Sequence, residues 1–495
     1  MAIASTKQVI LPTTPASAKT PGDDPTELHP EIKRLRADSY LARSLMGGTK
    51  AMRATRETFL PRMRHEIDDT YNARLGLTAL RNFYRQSLTS LAGKLMRNGL
   101  NLEDGAGVKF PKEAEEWLKN MDGEGTPGDV LFKRIFTWSV RDAASWLLAD
   151  YPRTGGTQTL ADQRTLGIRP MLVPLSCLDI FGWREEKVNG RMVTTQLRYL
   201  MVSDEPVGLY GRQRVETVRV IEPDRIIDLR LSSRNKWEIF DESVNTFGRV
   251  ALTRIASDMD EDSRPRGGMT DLADLNLEHW QIRSDQRLAL RVNSFPILFG
   301  SGMDGQLPPI GPETSILADN ESANLRYVES SGASLSAGRI ELTDLEDTMR
   351  AMSAQYQVKQ VAQTATGAAI DAADANAPAQ GWAINCKRGF EKAMSDMAEY
   401  GGLGKGVEIN LRVDTDALVS SMSAEKLLQL QSARAAREIS RETYLAALKR
   451  ADILPDEYDP VADQELIDQE APDLAGMNTP PGTPPGTPPK PAKKP

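Results

Sequence analysis

The stretch from Leu272 to Tyr400 constrains this chain more than any other. Apolar residues at helical steps predict one helix running to about Ser294 and a second over about 340–361. An irregular Gly- and Pro-rich segment separates them and reaches Gly338. An Ala/Thr-rich loop over 362–378 then leads into a third amphipathic helix, Trp382–Tyr400. Two long helices bracketing a compact module, with a small-residue loop entering a third helix, do not make an enzyme layout. They suit one subunit of a ring around a channel.

At 495 residues the chain exceeds one average hydrophobic core, so two to four subdomains are expected. The formal net charge is -8. Proteins that grip nucleic acid tightly usually carry a basic excess, because affinity comes from neutralising phosphates. The acidic balance argues against a conventional DNA-binding domain and leaves room for a surface along which DNA slides. Two cysteines, Cys177 and Cys386, suggest neither a disulfide framework nor a zinc site, which fits a reducing compartment. With no run of about 18 apolar residues, no membrane span is expected. Val9-Ile10-Leu11 is too short an apolar cluster for a signal peptide.

Along the chain, residues 1–49 read as an N-terminal arm, largely extended or disordered, with Thr, Pro, Ala and Ser prominent in the first 30. Leu77, Leu80, Tyr84, Leu88, Leu91 and Leu95 predict a helix from Tyr71 to Met96, ending near Asn98-Gly99. Another helix is predicted over about Asp129–Leu148. Residues 170–255 turn β-rich: Asn189-Gly190 reads as a hairpin turn before Arg191–Val202, and Val215–Ile221, Arg225–Leu231 and Lys236–Phe240 follow as strands. Val407–Val413 alternates as a half-buried strand. Two helices, about Ala424–Arg437 and Arg441–Ala451, have Ser423 and Ser440 where N-caps belong. The tail repeats Thr-Pro-Pro-Gly and reads as disordered, polyproline-like chain.

Chemistry-bearing motifs are scarce. Gly93-Lys94 and Gly404-Lys405 lack the following Ser or Thr of a phosphate-binding loop. Asp258-Met-Asp260-Glu-Asp262 starts like a calcium loop, but Ser263 stands where Gly is needed and Met269 where Glu is needed, so a solvated acidic loop is expected. His29, His65 and His279 have no metal-ligand spacing, and His279 beside Trp280 reads as a packing or surface histidine. No catalytic residue, metal site or cofactor is assigned.

Several strings, in their order and spacing, resemble phage portal proteins. They are Asp271-Leu-Ala-Asp-Leu-Asn-Leu-Glu-His-Trp280, Phe295-Pro-Ile-Leu-Phe-Gly300, Tyr327-Val-Glu-Ser-Ser-Gly332, Leu345-Glu-Asp-Thr-Met349, Gln363-Thr-Ala-Thr366, Val407-Glu-Ile-Asn-Leu-Arg-Val-Asp414 and Ile439-Ser-Arg-Glu-Thr-Tyr444. The family often has Gly before the Ile-Ser pair, where this chain has Glu438, which puts the local turn in question. The resemblance implies an α+β, portal-like fold. A wing over 50–265 contains the β-rich part, and a first stem helix spans 266–294. A clip (295–338), a second stem helix (339–361) and a tunnel loop (362–378) follow. A return helix and wing strand (379–422), crown helices (423–470) and a Pro-rich tail (471–495) complete it. It further implies a homo-oligomeric ring, a dodecamer in the family, at one capsid vertex of the virion, assembled in the host cytoplasm. Double-stranded DNA passes through its channel during packaging, retention and ejection. Terminase supplies ATP hydrolysis, and head–tail connector proteins and the major capsid protein are further partners. No membrane is involved.

The resemblance also allots residues. Arg283, Arg287 and Arg291 on the first stem helix could pair between subunits with Glu341, Asp344, Glu346 and Asp347 on the second. The apolar stripes of both helices could equally be core. The clip would dock partners through Phe295, Ile297, Leu298, Phe299 and Ile310, or form a small self-contained module. Thr364, Thr366, Gly367, Asp371, Asp374 and Asn376 would face DNA in a loop with no Lys or Arg, and a plain disordered connector is the other reading. Two other classes remain open: a phage nucleic-acid-processing enzyme whose catalytic residues converge only in space, and a capsid or connector protein that is not a portal.

Overall fold

The computed structural model describes residues 24–102, 112–152, 168–293, 297–301, 324–328, 333–355, 378–404, 406–413, 424–450, 454 and 458–466. The chain divides into two compact units, 1–419 and 420–495. Helices and strands are mixed, as expected for an α+β protein.

Three short helices open the first unit: α1 (Pro30–Asp38), α2 (Tyr40–Met46) and α3 (Gly48–Ala54). This corrects the expectation of an extended or disordered arm over 30–49; residues 1–23 of that arm lie outside the described residues. His29 caps α1, its Nδ1 accepting from the Glu31 amide at 3.3 Å, and Pro30 suits the first turn. Ile32 and Leu35 are fully buried, so the segment has the apolar anchors that a frayed arm lacks. Arg36 adds hydrogen bonds to the carbonyls of Cys177, Leu178 and Ile180 at 2.9–3.0 Å.

The helix expected over Tyr71–Met96 is two helices, α4 (Asp68–Leu77) and α5 (Phe83–Leu95). Thr78 turns extended, its hydroxyl bonding the Arg74 carbonyl at 2.8 Å, and Asn82 caps α5 by accepting from the Arg85 amide at 2.9 Å. The apolar period crosses this break because both helices bury their stripes in one core. Gly99 stands in the left-handed region just past the expected stop. After β1 (Asn101–Leu102) and α6 (Lys112–Leu118), α7 covers Gly128–Asp142 and not the expected 129–148. Ala143, at φ 68°, ends it, and β2 (Ala144–Asp150) begins. Periodicity alone cannot separate a short buried strand from a helix end.

β2 is the middle strand of an antiparallel sheet in the order β3-β2-β9, where β3 is Met171–Leu175 and β9 is Leu252–Ala256. Its Leu147 and Ala149 belong to the helical core, while Ala144, Trp146 and Leu148 join a second cluster with Ile32, Leu35 and Tyr199. Burial on both faces explains the apolar run Trp146–Ala149. A five-stranded meander follows the expected hairpins: β4 (Ile180–Val188), β5 (Arg191–Val207), β6 (Gly211–Ile221), β7 (Arg225–Leu231) and β8 (Trp237–Val244). Asn189 and Gly190 both take positive φ at the β4–β5 turn, the signature of a type I′ turn. The acidic loop is a small hairpin, β10 (Asp258–Met259) with β11 (Pro265–Arg266). Its Asp260 accepts from the Arg264 amide at 2.7 Å and Asp262 lies 3.5 Å from Arg264.

Two long helices, α8 (Thr270–Asn293) and α9 (Ala333–Gln355), flank a hairpin of β12 (Ile297–Ser301) and β13 (Asn324–Val328). Then α10 (Pro378–Tyr400) lies against β9 and β2 and ends beside Phe247, whose ring stacks on Tyr400 at 4.3 Å. Gly389 permits the close approach, since a Cβ there would meet Ile255 at 2.6 Å. Arg249 clamps the far end with Asp396 at 2.9 Å and Glu399 at 2.8 Å. Ile409, Leu411 and Val413 are buried in alternation as expected, although only β14 (Leu411–Arg412) pairs, with β1.

The second unit contains α11 (Ala424–Ala435) and α12 (Arg441–Arg450). Ser440 caps α12 as expected, accepting from the Thr443 amide at 3.0 Å. The left-handed residue of the intervening turn is Arg437, so the turn closes without glycine at 438.

Candidate inter-subunit stem

The α8–α9 pair is antiparallel. His279 faces Glu346 near one end, and Gln286 bonds the Leu335 carbonyl at 2.8 Å nearer the other. A Cβ at Gly338 would meet Gln286 at 2.3 Å. Gly338 is therefore a close-packing site inside α9, and the irregular segment expected to reach it ends before Ala333. The first long helix runs Thr270–Asn293, beginning four residues after the expected 266.

The root of the pair is heavily tied. Leu272, Asn276, His279, Trp280 and Ser284 of α8 are buried, with Leu345 and Met349 of α9. Asn276 accepts from the Tyr84 amide at 3.1 Å and donates to the Arg81 carbonyl at 2.9 Å. Ser284 bonds Thr78 at 3.0 Å, and Ser353 bonds Ser87 at 2.7 Å. Arg74 of α4 reaches Asp285 at 3.2 Å.

Beyond Ser284 on α8, and before Leu345 on α9, none of the described side chains is buried. Leu290 is 47% exposed and Ile340 62%. Between the helices lies a cleft of about 480 Å³, lined by His279, Arg283, Gln286, Arg287 and Leu290 on one side and Leu335, Ser336, Arg339, Leu342 and Glu346 on the other.

Charge in the cleft is unevenly matched. Glu346 is a hub, 2.5 Å from Arg81, 3.2 Å from His279 and 3.1 Å from Arg350. Arg350 also pairs with Asp347. Arg283, Arg287, Arg291 and Arg339 make no ion pair among the described residues, and neither do the exposed Glu341 and Asp344. So the pairing expected between the α8 arginines and the α9 acids does not form within one chain. Nearer cations already take Glu346 and Asp347. Burial, with Arg287 and Arg81 close by, lowers the pKa of Arg283. Burial likewise lowers His279, against the pull of Glu346. The Glu346 hub was invisible in sequence because Arg81 and His279 lie 265 and 67 residues from it.

Of the expected docking residues, Ile297, Leu298 and Phe299 lie on β12, with Phe299 exposed beneath the Arg326 guanidinium. Phe295 and Ile310 fall outside the described residues, as do Thr364, Thr366, Gly367, Asp371, Asp374 and Asn376. Both cysteines are free and buried, and burial pushes Cys177 up to about 11 and Cys386 up to about 12, far from an activated nucleophile. Among the described residues no group of three His, Cys, Asp or Glu side chains gathers as a metal site, and no helix is long and apolar enough to cross a membrane.

A family model described as a domain of unknown function, DUF4055, matches residues 268–401, about a quarter of the chain, and spans α8 through α10. No curated protein matches. Among solved structures, a chain from the neck of an empty GTA particle computed with C6 symmetry is 14% identical, with a TM-score of 0.35, over 74% of this chain and 89% of its own. A chain from the virion of a native gene transfer agent (GTA) particle is 14% identical, with a TM-score of 0.37, over 80% of this chain and 98% of its own. Likeness at that level bears on neither the fold nor the assembly of this chain.

Proposed function

We propose that the chain is a ring subunit of portal type, standing at one capsid vertex and enclosing a channel through which double-stranded DNA is packed, held and released. The observation that carries this reading is the half-bare helix pair. α8 and α9 are rooted in the core yet present unburied Leu290 and Ile340 beyond it. They also carry arginines on one helix and acids on the other that make no ion pair among the described residues. Copies standing side by side would set the α8 row of one against the α9 acids of the next. Exposed ion pairs contribute roughly 0–1 kcal/mol each, so Arg283, Arg287 and Arg291 with Glu341 and Asp344 set register. Burying the remaining exposed half of Leu290 and Ile340, worth about 1–1.5 kcal/mol per side chain, supplies more of the affinity.

In this reading the β12–β13 hairpin docks the terminase, which supplies ATP hydrolysis, and later the head–tail connector. The loop over 362–378 faces DNA without gripping it, since it has no Lys or Arg. The test is sedimentation and electron-microscope imaging of the full chain. The wild type is expected as a closed ring, of twelve copies by the family resemblance. The variant Arg287→Glu with Arg291→Glu, both on exposed positions, is expected to sediment as smaller species with an unchanged circular-dichroism spectrum. A monomeric wild type, or a variant that forms the same ring, would overturn the reading.

A further inference from the structure

The five-stranded sheet carries two bare features of opposite character. The first is a projecting ribbon. β5 and β6 stay paired to Val207 opposite Gly211, but β4 leaves β5 at Tyr199 and β7 leaves β6 at Thr217. In backbone pairing, the two strands from Met201 to Val207 and from Gly211 to Glu216 have only each other, although Met201 packs on the second cluster and Arg230 of β7 reaches Glu205. The free length is six steps on β5, roughly 20 Å. A lone two-stranded ribbon is marginal in water. Its tip is nevertheless apolar: Val207 is exposed, Leu209 is 90% exposed and Tyr210 is 97% exposed. Arg212 and Arg214 flank the tip.

The second is the edge strand β8, which pairs only with β7. It exposes Ile239, Phe240 and Val244 beside Leu231, bordered by Glu238 and Glu242. It has neither Lys nor Pro, and its guards are the bulge at Phe240, whose ring lies 3.6 Å from the Arg230 guanidinium, and the carboxylates Glu238, Asp241 and Glu242, the last 3.5 Å from Arg225. Within one chain the two features cannot meet. β6 and β7 are held in register between them, and β8 runs from Trp237, beside Leu231, toward Val244, away from the ribbon tip.

We infer that the ribbon 201–216 of one copy docks on the β8 edge of a second copy, with Leu209 and Tyr210 against Ile239, Phe240 and Val244, and Arg212 and Arg214 against Glu238 and Glu242. Both halves of the contact are present on every copy, and they differ in sign as well as in shape. Unreciprocated, the contact is head-to-tail, a geometry that closes into a ring or propagates as a filament; two reciprocated contacts would stop at a two-fold dimer, which a disulfide product no larger than a dimer would reveal. The inference uses neither the stem nor DNA, so it stands apart from the portal reading.

Two full-length variants test it. One carries Arg212→Glu and Arg214→Glu, which makes ribbon and edge both acidic. The other carries Glu238→Arg and Glu242→Arg, which makes both basic. Each alone is expected to self-associate at least about 10-fold more weakly than wild type by sedimentation velocity, since like charges now face each other. Their equimolar mixture is expected to regain wild-type association, because every contact is complementary again. In a chain whose own cysteines are both buried, Leu209→Cys with Phe240→Cys should also give a ladder of disulfide-linked oligomers under oxidation. Assembly of either charge variant at wild-type strength, or a mixture no better than its components, would overturn the contact. Rings that persist in both variants would overturn it while leaving the stem reading intact.

Discussion

Arg74→Met is expected to lower the unfolding free energy by about 3–5 kcal/mol, because it strands a buried carboxylate. The Arg74 and Glu66 side chains are 2% and 3% exposed. They pair bidentately, at 2.8 Å and 2.9 Å, and Arg74 also bonds the Pro61 carbonyl at 2.7 Å. Through Asp285 the same guanidinium ties α4 to α8 where burial of the stem ends. Removing the cation leaves Glu66 dry and charged, whereas Arg74→Met with Glu66→Leu removes both and should recover most of the loss. The pH dependence separates this cause from simple loss of packing. Hydrogen bonding to Arg74 holds Glu66 below its ordinary value in the folded state. Its contribution is therefore fully present above the unfolded value of about 4.3 and fades as pH falls through the lower folded one. In Arg74→Met only the Met63 amide, at 3.1 Å, and the charge of Arg62 still hold Glu66 down against its burial, so the loss of stability on acidification is shallower than in the wild type. Denaturant titrations at several pH values read both effects. A loss under 1 kcal/mol, or a variant as sensitive to acid as the wild type, would overturn this expectation.

Phe390→Ala should cost about 3–5 kcal/mol by the same measurement. Phe390 is fully buried on α10, its ring 5.3 Å from that of Phe132 on α7. Gly389 beside it already brings the helix backbone against Ile255, so the helix cannot slide to refill the space. Collapse around the cavity is blocked on the sheet side, which places the loss at the upper end of such substitutions. Phe299→Ala, on the exposed face of the β12–β13 hairpin, serves as the contrast and should change stability by less than about 0.5 kcal/mol.

What could be read from sequence follows from how local each signal is. α8 and α10 were legible because each repeats an apolar stripe over six turns or more, long enough for period 3.6 to outweigh noise. The β4–β5 turn was legible because Asn189-Gly190 demands one geometry. The switch at Ala143 was not, since a non-glycine residue at positive φ has no sequence signature and Ala144–Asp150, buried on both faces, shows no alternation. The helices of 30–54 were hidden by their length: each buries two to four residues, too few to set a period. At the stem, the helices and their charges were visible, but their partners were not. Which arginine satisfies Glu346 depends on Arg81, brought in by the break before α5, and no spacing rule reaches that far.

The helix pair is clamped at its base and bare toward its hairpin, which makes it a cantilever. Load applied at the free end bends such a beam hardest where the clamp begins, at the level of Ser284 and Leu345. Amide hydrogens should report that profile directly in the unassembled chain: slow exchange along 272–284, then a sharp rise over 285–293. Whatever later grips the far end would therefore be felt first at the fulcrum, beside Arg74 and the Thr78 break.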